Sequence, residues 1–116
     1  MILAAERDTY PDGLFAGDPP ADGRDWWLAH TKPRQEKALA RDLSAAGVSF
    51  YLPCVPARVR VRGRVRTSYH PLFPGYAFVR AGGDDRATVF ATRRVAKLVP
   101  VADQGRLWAD LRAVRR

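Results

Sequence analysis

RVRVRGRVRTSYHPLFPGYAFV, residues 58–79, is the stretch from which the fold is read. Its first half alternates with period two, setting Arg58, Arg60, Arg62, Arg64 and Arg66 against Val59, Val61 and Val65, with Gly63 at the midpoint. Such alternation broken by a glycine predicts a strand, a turn and a strand. Parity bears on the turn. A two-residue loop sets Val61 opposite Arg64 and mixes the faces, whereas a three-residue loop, Arg62-Gly63-Arg64, pairs Val61 with Val65 and Arg60 with Arg66. The expectation is therefore the three-residue loop with Gly63 left-handed, giving one aliphatic face and one arginine face. Like charges directly opposite one another destabilise a hairpin, so an Arg60/Arg66 pair makes most sense under something anionic. The alternative is a solvated edge hairpin whose charges prevent aggregation.

Working outward, PLFPG (71–75) is turn-forming and YAFV (76–79) is a short apolar strand expected at the centre of a sheet. On the N-terminal side, WWLAHT (26–31) alternates as a buried strand would. In the following TKPRQEKALARDLSAAG, Pro33 suits a first helical position with Thr31 or Lys32 as cap, and Gly47 suits a C-terminal stop. Leu39, Leu43 and Ala46 share its inward face, and Arg34, Lys37 and Arg41 a basic stripe. VSFYLPCV (48–55) reads as a strand. Downstream, Asp84 or Asp85 caps a helix RATVFATR, VAKLVPV is a strand, and GRLWADLRAVRR is a helix with Leu107, Leu111 and Val114 on one face. The order predicts an α+β fold: a largely antiparallel four-stranded sheet with flanking helices and a protruding basic hairpin.

A chain of 116 residues fits one domain with a modest core. The net charge of +8 conceals a split, with −4 over residues 1–25 and +12 over residues 26–116. A body that basic reads as a binder of nucleic acid or another polyanion. Residues 1–24, rich in Asp, Gly and Pro, read as an acidic, disordered tail, with the opposite charge suggesting a loose fold-back onto a domain spanning 25–116. The lone Cys54 excludes an internal disulfide, suits a reducing cytoplasm, and reads as a small buried hydrophobe among apolar neighbours. No run is apolar enough to cross a bilayer as a helix, and no secretory signal is legible.

Nothing points to catalysis. There is no Gly-rich phosphate loop, no metal-ligand spacing and no nucleophile-base pair; GGDD (82–85) lacks a third carboxylate nearby, and His30 reads as a strand-end side chain. No cofactor is expected.

WWLAHTKPRQEKALARDL, PLFPGYAFV and ATRRVAKLV, in this order, resemble the N-terminal domain of the NusG family of transcription elongation factors over about residues 25–116. The glycine flanked by basic residues in the hairpin makes the chain look closer to the RfaH-like branch. The resemblance implies a non-enzymatic, cytoplasmic factor, carried on the nucleoid by RNA polymerase; a monomer is the default expectation. An apolar patch would dock on the clamp helices of the largest polymerase subunit, and the opposite side would approach the second-largest, favouring processive elongation. Carried over by position, the patch is Pro71, Leu72, Phe73, Tyr76 and Phe78. The side facing the DNA of the transcription bubble is Lys32, Arg62, Arg64 and Arg93, joined by Arg34, Arg58, Arg60 and Arg66 from the basic helix start and the hairpin. Two departures stand out. Family members continue into a small KOW barrel, whereas this sequence ends at Arg116, which suggests a first domain alone or a shortened paralogue. RfaH-like proteins carry a histidine-threonine motif before the ATR segment, where this chain has Asp85, Arg86 and Ala87. The competing reading is a general RNA- or DNA-binding domain that uses the arginine hairpin without polymerase.

Overall fold

The computed structural model describes residues 8–115. The alternation of WWLAHT becomes β2 (Asp25–Thr31), flanked by β6 (Tyr76–Ala81) and β7 (Val95–Pro100); β3 (Ser49–Tyr51) pairs with the other side of β6, and β1 (Thr9–Tyr10) adds outside β3. All four pairings are antiparallel, in the order β1-β3-β6-β2-β7. The fold is α+β, and the apolar YAFV segment lies at its middle as the pattern predicts. The sheet has five strands rather than four because Thr9 and Tyr10 extend it.

Period two sends alternate residues of β2 and β6 to opposite faces, and helices cover both. On one face Ala29, Phe50, Ala77 and Val79 meet Leu39, Ala40 and Leu43 of α1 (Glu36–Ala46) and Val89 of α2 (Gly83–Ala91). On the other face Trp26, Tyr51 and Phe78 meet Trp108 and Leu111 of α3 (Gln104–Arg115). Each fully buried Leu, Val or Phe among these contributes about 1.5–3 kcal/mol. The predicted helix faces shift accordingly: Ala40 rather than Ala46 completes the buried stripe of α1, and Trp108 replaces Val114 on α3.

Helix ends follow local chemistry. Gly47, at φ 75°, closes α1, with Gly47 and Val48 amides donating to Ser44 and Leu43 carbonyls in a Schellman arrangement that brings apolar Val48 onto Leu43. The start of α1 is later than Pro33 suggests. Lys32 to Gln35 form a turn in which Arg34 takes φ 62°, so Arg34 lies outside the helix and the predicted stripe with Lys37 and Arg41 does not form. Asp85 sits three residues inside α2, accepting from the Gly82 amide at 2.9 Å, rather than acting as the cap itself. Asp103 caps α3 through the Arg106 amide.

The expected tail is corrected for residues 8–24; residues 1–7 lie outside the described residues. Leu14 and Phe15 are buried, and Phe15 stacks on Trp26 with ring centroids 5.9 Å apart while also touching Tyr51 and Trp108. Asp22 pairs with Arg80 at 2.9 Å, and Asp8 with Arg115 at 3.2 Å. Leu14 and Phe15 in the aromatic core, and an ion pair to the buried Arg80, thus turn this acidic, proline-rich segment into a strap.

The hairpin consists of β4 (Cys54–Val61) and β5 (Arg64–Pro71), a two-stranded sheet separate from the main one. Its register corrects the expected three-residue loop: Val61 faces Arg64, Arg60 faces Val65 and Val59 faces Arg66. Arg62 and Gly63 both have positive φ, 52° and 78°, as a two-residue type I′ loop requires. That loop matches the right-handed twist of the strands, and the mixed faces remove the Arg60/Arg66 confrontation. Cys54 is half-buried at the hairpin base rather than buried.

The Arg80–Asp22 pair makes stability depend on pH. Burial pushes the Asp22 carboxyl up, but hydrogen bonds from Arg80 and the Arg24 amide, with the Arg80 charge, outweigh it and lower its pKa from 3.8 to about 2. A lowered folded-state pKa contributes stability that is complete above 3.8 and lost as pH falls towards about 2. Asp22→Asn is expected to cost on the order of 1–2 kcal/mol near neutral pH, allowing for partial exposure, by urea unfolding. The gap from wild type should close across that acid window; a gap independent of pH would rule the pair out as its source.

Candidate functional site

The C-terminal ends of β2 and β3 and the N-terminal ends of β6 and β7 meet at one edge of the sheet, so four connections converge there. Two hydrogen-bonded clasps hold them. Gly75, at φ 87°, donates its amide to the Glu36 carboxylate at 2.8 Å and accepts from the Thr31 amide at 2.8 Å. The Lys32 amide donates to the Arg94 carbonyl at 2.9 Å. The Leu72 amide, donating to the Pro53 carbonyl, ties the hairpin base to this same edge.

On the α3 side of the sheet, none of the described helices or loops covers this edge. Register sets Tyr76 opposite His30 and Phe78 opposite Leu28, all on that face, as the alternation of β6 predicts. His30 stacks on Tyr76 with centroids 4.9 Å apart, and Phe73 meets Phe78 edge-on at 5.9 Å. Phe73 is 43% exposed, Tyr76 37% and Leu72 39%, whereas Phe78 is half-buried and reaches the cluster beneath α3. The predicted residues Phe73, Tyr76 and Phe78 therefore form one aromatic surface with Leu72 at its rim. Pro71 stands apart from it, opposite Cys54 at the hairpin base. His30 and Leu28 were missed as members; period two along β2 was the available signal.

The basic residues divide by partner. On the body, Arg80 pairs with Asp22, Arg24 with Asp22 and Asp85, and Arg94 with Asp42 at 2.6 Å, with a further bond to Gln35. The Asp85 carboxyl is held below its ordinary value by the Gly82 amide first and by Arg24 second. Arg86 lies over the Trp27 ring at 5.1 Å. The two charged residues that depart from the histidine-threonine motif are thus engaged within the fold.

Among the described residues, Arg58, Arg60, Arg62, Arg64 and Arg66 make no ion pair, and all are exposed. No acidic residue occurs between Asp42 and Asp84. Lys32, Arg34 and Arg93 are exposed in two neighbouring loops joined by the Lys32–Arg94 bond, with Arg34 and Arg93 both at φ 62°. Left-handed arginines carry a backbone cost, which the converging loops sustain. The sequence-predicted basic residues thus fall into two groups, the hairpin and this loop pair. Among the described residues no group of three or more His, Cys, Asp or Glu side chains is arranged to hold a metal ion.

A protein-family model described as transcription termination factor nusG matches residues 24–112. The chain belongs to the NusG family. The matched span takes in the whole main sheet except β1 and β3's partnering strap, and all of the hairpin. Compared with curated proteins one by one, the chain has no match. As an N-terminal domain of the NusG family it belongs to a transcription elongation and antitermination factor, its family is one of transcription factors rather than enzymes, and domains of this family bind RNA polymerase. No helix among the described residues is long and apolar enough to cross a membrane.

If the exposed aromatics are surface rather than core, truncating them leaves the domain intact. Tyr76→Ala is expected to cost under about 1 kcal/mol in urea unfolding, against about 3–5 kcal/mol for Phe50→Ala in the sealed core. Equal losses would return Tyr76 to the core.

Proposed function

We propose that this NusG-family domain docks through Phe73, Tyr76 and Phe78, with Leu72 at the rim and Pro71 outside the contact, on the clamp helices of the largest polymerase subunit. Its arginine hairpin and the Lys32, Arg34 and Arg93 loops then lie against upstream or non-template DNA of the bubble, favouring processive elongation as a monomeric cytoplasmic factor. The observation that carries this reading is the convergence at one sheet edge of a half-exposed aromatic surface and two basic groups that make no ion pair among the described residues. Half-exposed aromatics packed against each other are preorganised anchors for a protein groove. Arginines without carboxylate partners keep their full charge for phosphate. Approach to the second-largest subunit draws no support from Asp85 or Arg86, whose side chains are spent inside the domain.

Binding to core polymerase, to an elongation complex and to the matching bare bubble, each across a salt series, separates this from a plain nucleic-acid binder. Polymerase binding should persist at salt where bare DNA is released, and Phe73→Ala with Tyr76→Ala should weaken it by at least about thirtyfold. Identical, steeply salt-dependent binding to every polyanion would sink the docking reading.

Removing charge at Arg62 and Arg64 together, by Gln, should leave polymerase binding in place. The same change should lower the salt slope of bubble binding by about 1–2. An unchanged slope and unchanged pause suppression would reduce the hairpin to a solubility device.

A further inference from the structure

The two-residue loop has divided the hairpin arginines between its faces. In an antiparallel ribbon directly opposed residues point the same way. Arg58 and Arg60 of β4 therefore share a face with Val65 of β5, while Arg64 and Arg66 of β5 share the other face with Val59 and Val61 of β4. Each face carries two arginines two residues apart along one strand, opposite Thr67 and Val65 on the first face and opposite Val59 and Val61 on the second. Neither is sealed: Val61 on one face is 44% exposed and Val65 on the other 54%. Had the loop contained three residues, every arginine of the strands would have faced one way and a single ligand would have sufficed.

We infer that the hairpin holds two nucleic-acid backbones at once, one on each face, and so bridges two separate segments. This rests on the reading of the hairpin as a nucleic-acid contact. Alternate residues of a strand are about 6.8 Å apart, and the rise of about 3.4 Å per phosphate along the axis, combined with the winding of the backbone, sets neighbouring phosphates of one duplex strand at about the same separation, so each arginine pair matches two adjacent phosphates. The guanidinium forks bind phosphate oxygens bidentately, and the valines beside them offer an apolar floor to the sugars. Four guanidinium groups between the two ligands offset the repulsion of their phosphates. The absence of acidic residues from 43 to 83 leaves no carboxylate to oppose either one.

The test uses the full chain with Lys32, Arg34 and Arg93 changed to Gln, which isolates the hairpin. The probes are duplexes of about 12 base pairs, too stiff to bend from one face to the other, labelled separately with donor and acceptor dyes. Two duplexes per chain are expected, with energy transfer between them. Arg58→Gln with Arg60→Gln, and Arg64→Gln with Arg66→Gln, should each abolish transfer and reduce the stoichiometry to one, leaving the remaining affinity within about threefold. One duplex per chain before any hairpin change, or transfer surviving in both double variants, overturns the inference. If one-to-one binding is found while polymerase recruitment persists, this inference fails alone; absence of duplex binding removes the nucleic-acid side of the proposed function with it.

Discussion

A guanidinium buried on the central strand has to be paired, and that requirement shapes one whole face of the domain. Arg80, near the C-terminal end of β6, is 4% exposed. Asp22 supplies two oxygens to it and the Arg24 carbonyl a third, so the segment before β2 must cross that face. In crossing it carries Phe15 in among Trp26, Tyr51 and Trp108, where α3 closes over the group. Gln104 fixes the start of α3, its amide both accepting from and donating to the backbone of Trp26. The cover ends at Phe78. Beyond it, Tyr76, His30 and Phe73 stand open because neither strap nor helix reaches them.

The open half is also where the loops converge, and that juxtaposition joins the two sides of the proposed function. Glu36 holds Gly75, Gly75 holds Thr31, and Lys32 holds Arg94, so the aromatic surface and the Lys32–Arg34–Arg93 group share one framework of hydrogen bonds. These bonds fix the spacing between the aromatic surface and the basic loops. The hairpin leaves the same framework through the Leu72–Pro53 hydrogen bond, which ties its base to the edge that carries the aromatics.

Much of this was legible, and where it was not a competing physical effect had won. The period-two pattern of WWLAHT and YAFV gave the strands, the central place of β6 and the common face of Tyr76 and Phe78, because alternation maps directly onto a covered sheet. The hairpin location was equally plain from its alternation. Its register was not, since parity treats each face as serving one purpose, while the backbone prefers the loop whose twist fits its strands. Composition misled at residues 8–24: the acids, glycines and prolines outnumber Leu14 and Phe15, yet those two residues and Asp22 fix the segment. Pro33 suggested a helix start, but Arg34 in the left-handed region turns the chain once more before α1. The partners of the exposed side chains have no trace in periodicity, since alternation reports burial and not what comes to cover a surface.

The rims of the sheet carry a further consequence. β1 is two residues long and runs straight into Pro11, and β7 ends at Pro100 and carries exposed Lys97 near its middle. Short strands, prolines and an outward lysine are the devices by which sheets refuse to extend themselves. A partner therefore gains little by laying its own main chain alongside, as peptide-capturing domains allow. In the proposed function, side chains on the faces and on the hairpin would then carry recognition, and selectivity could be altered by substitution without disturbing the main sheet.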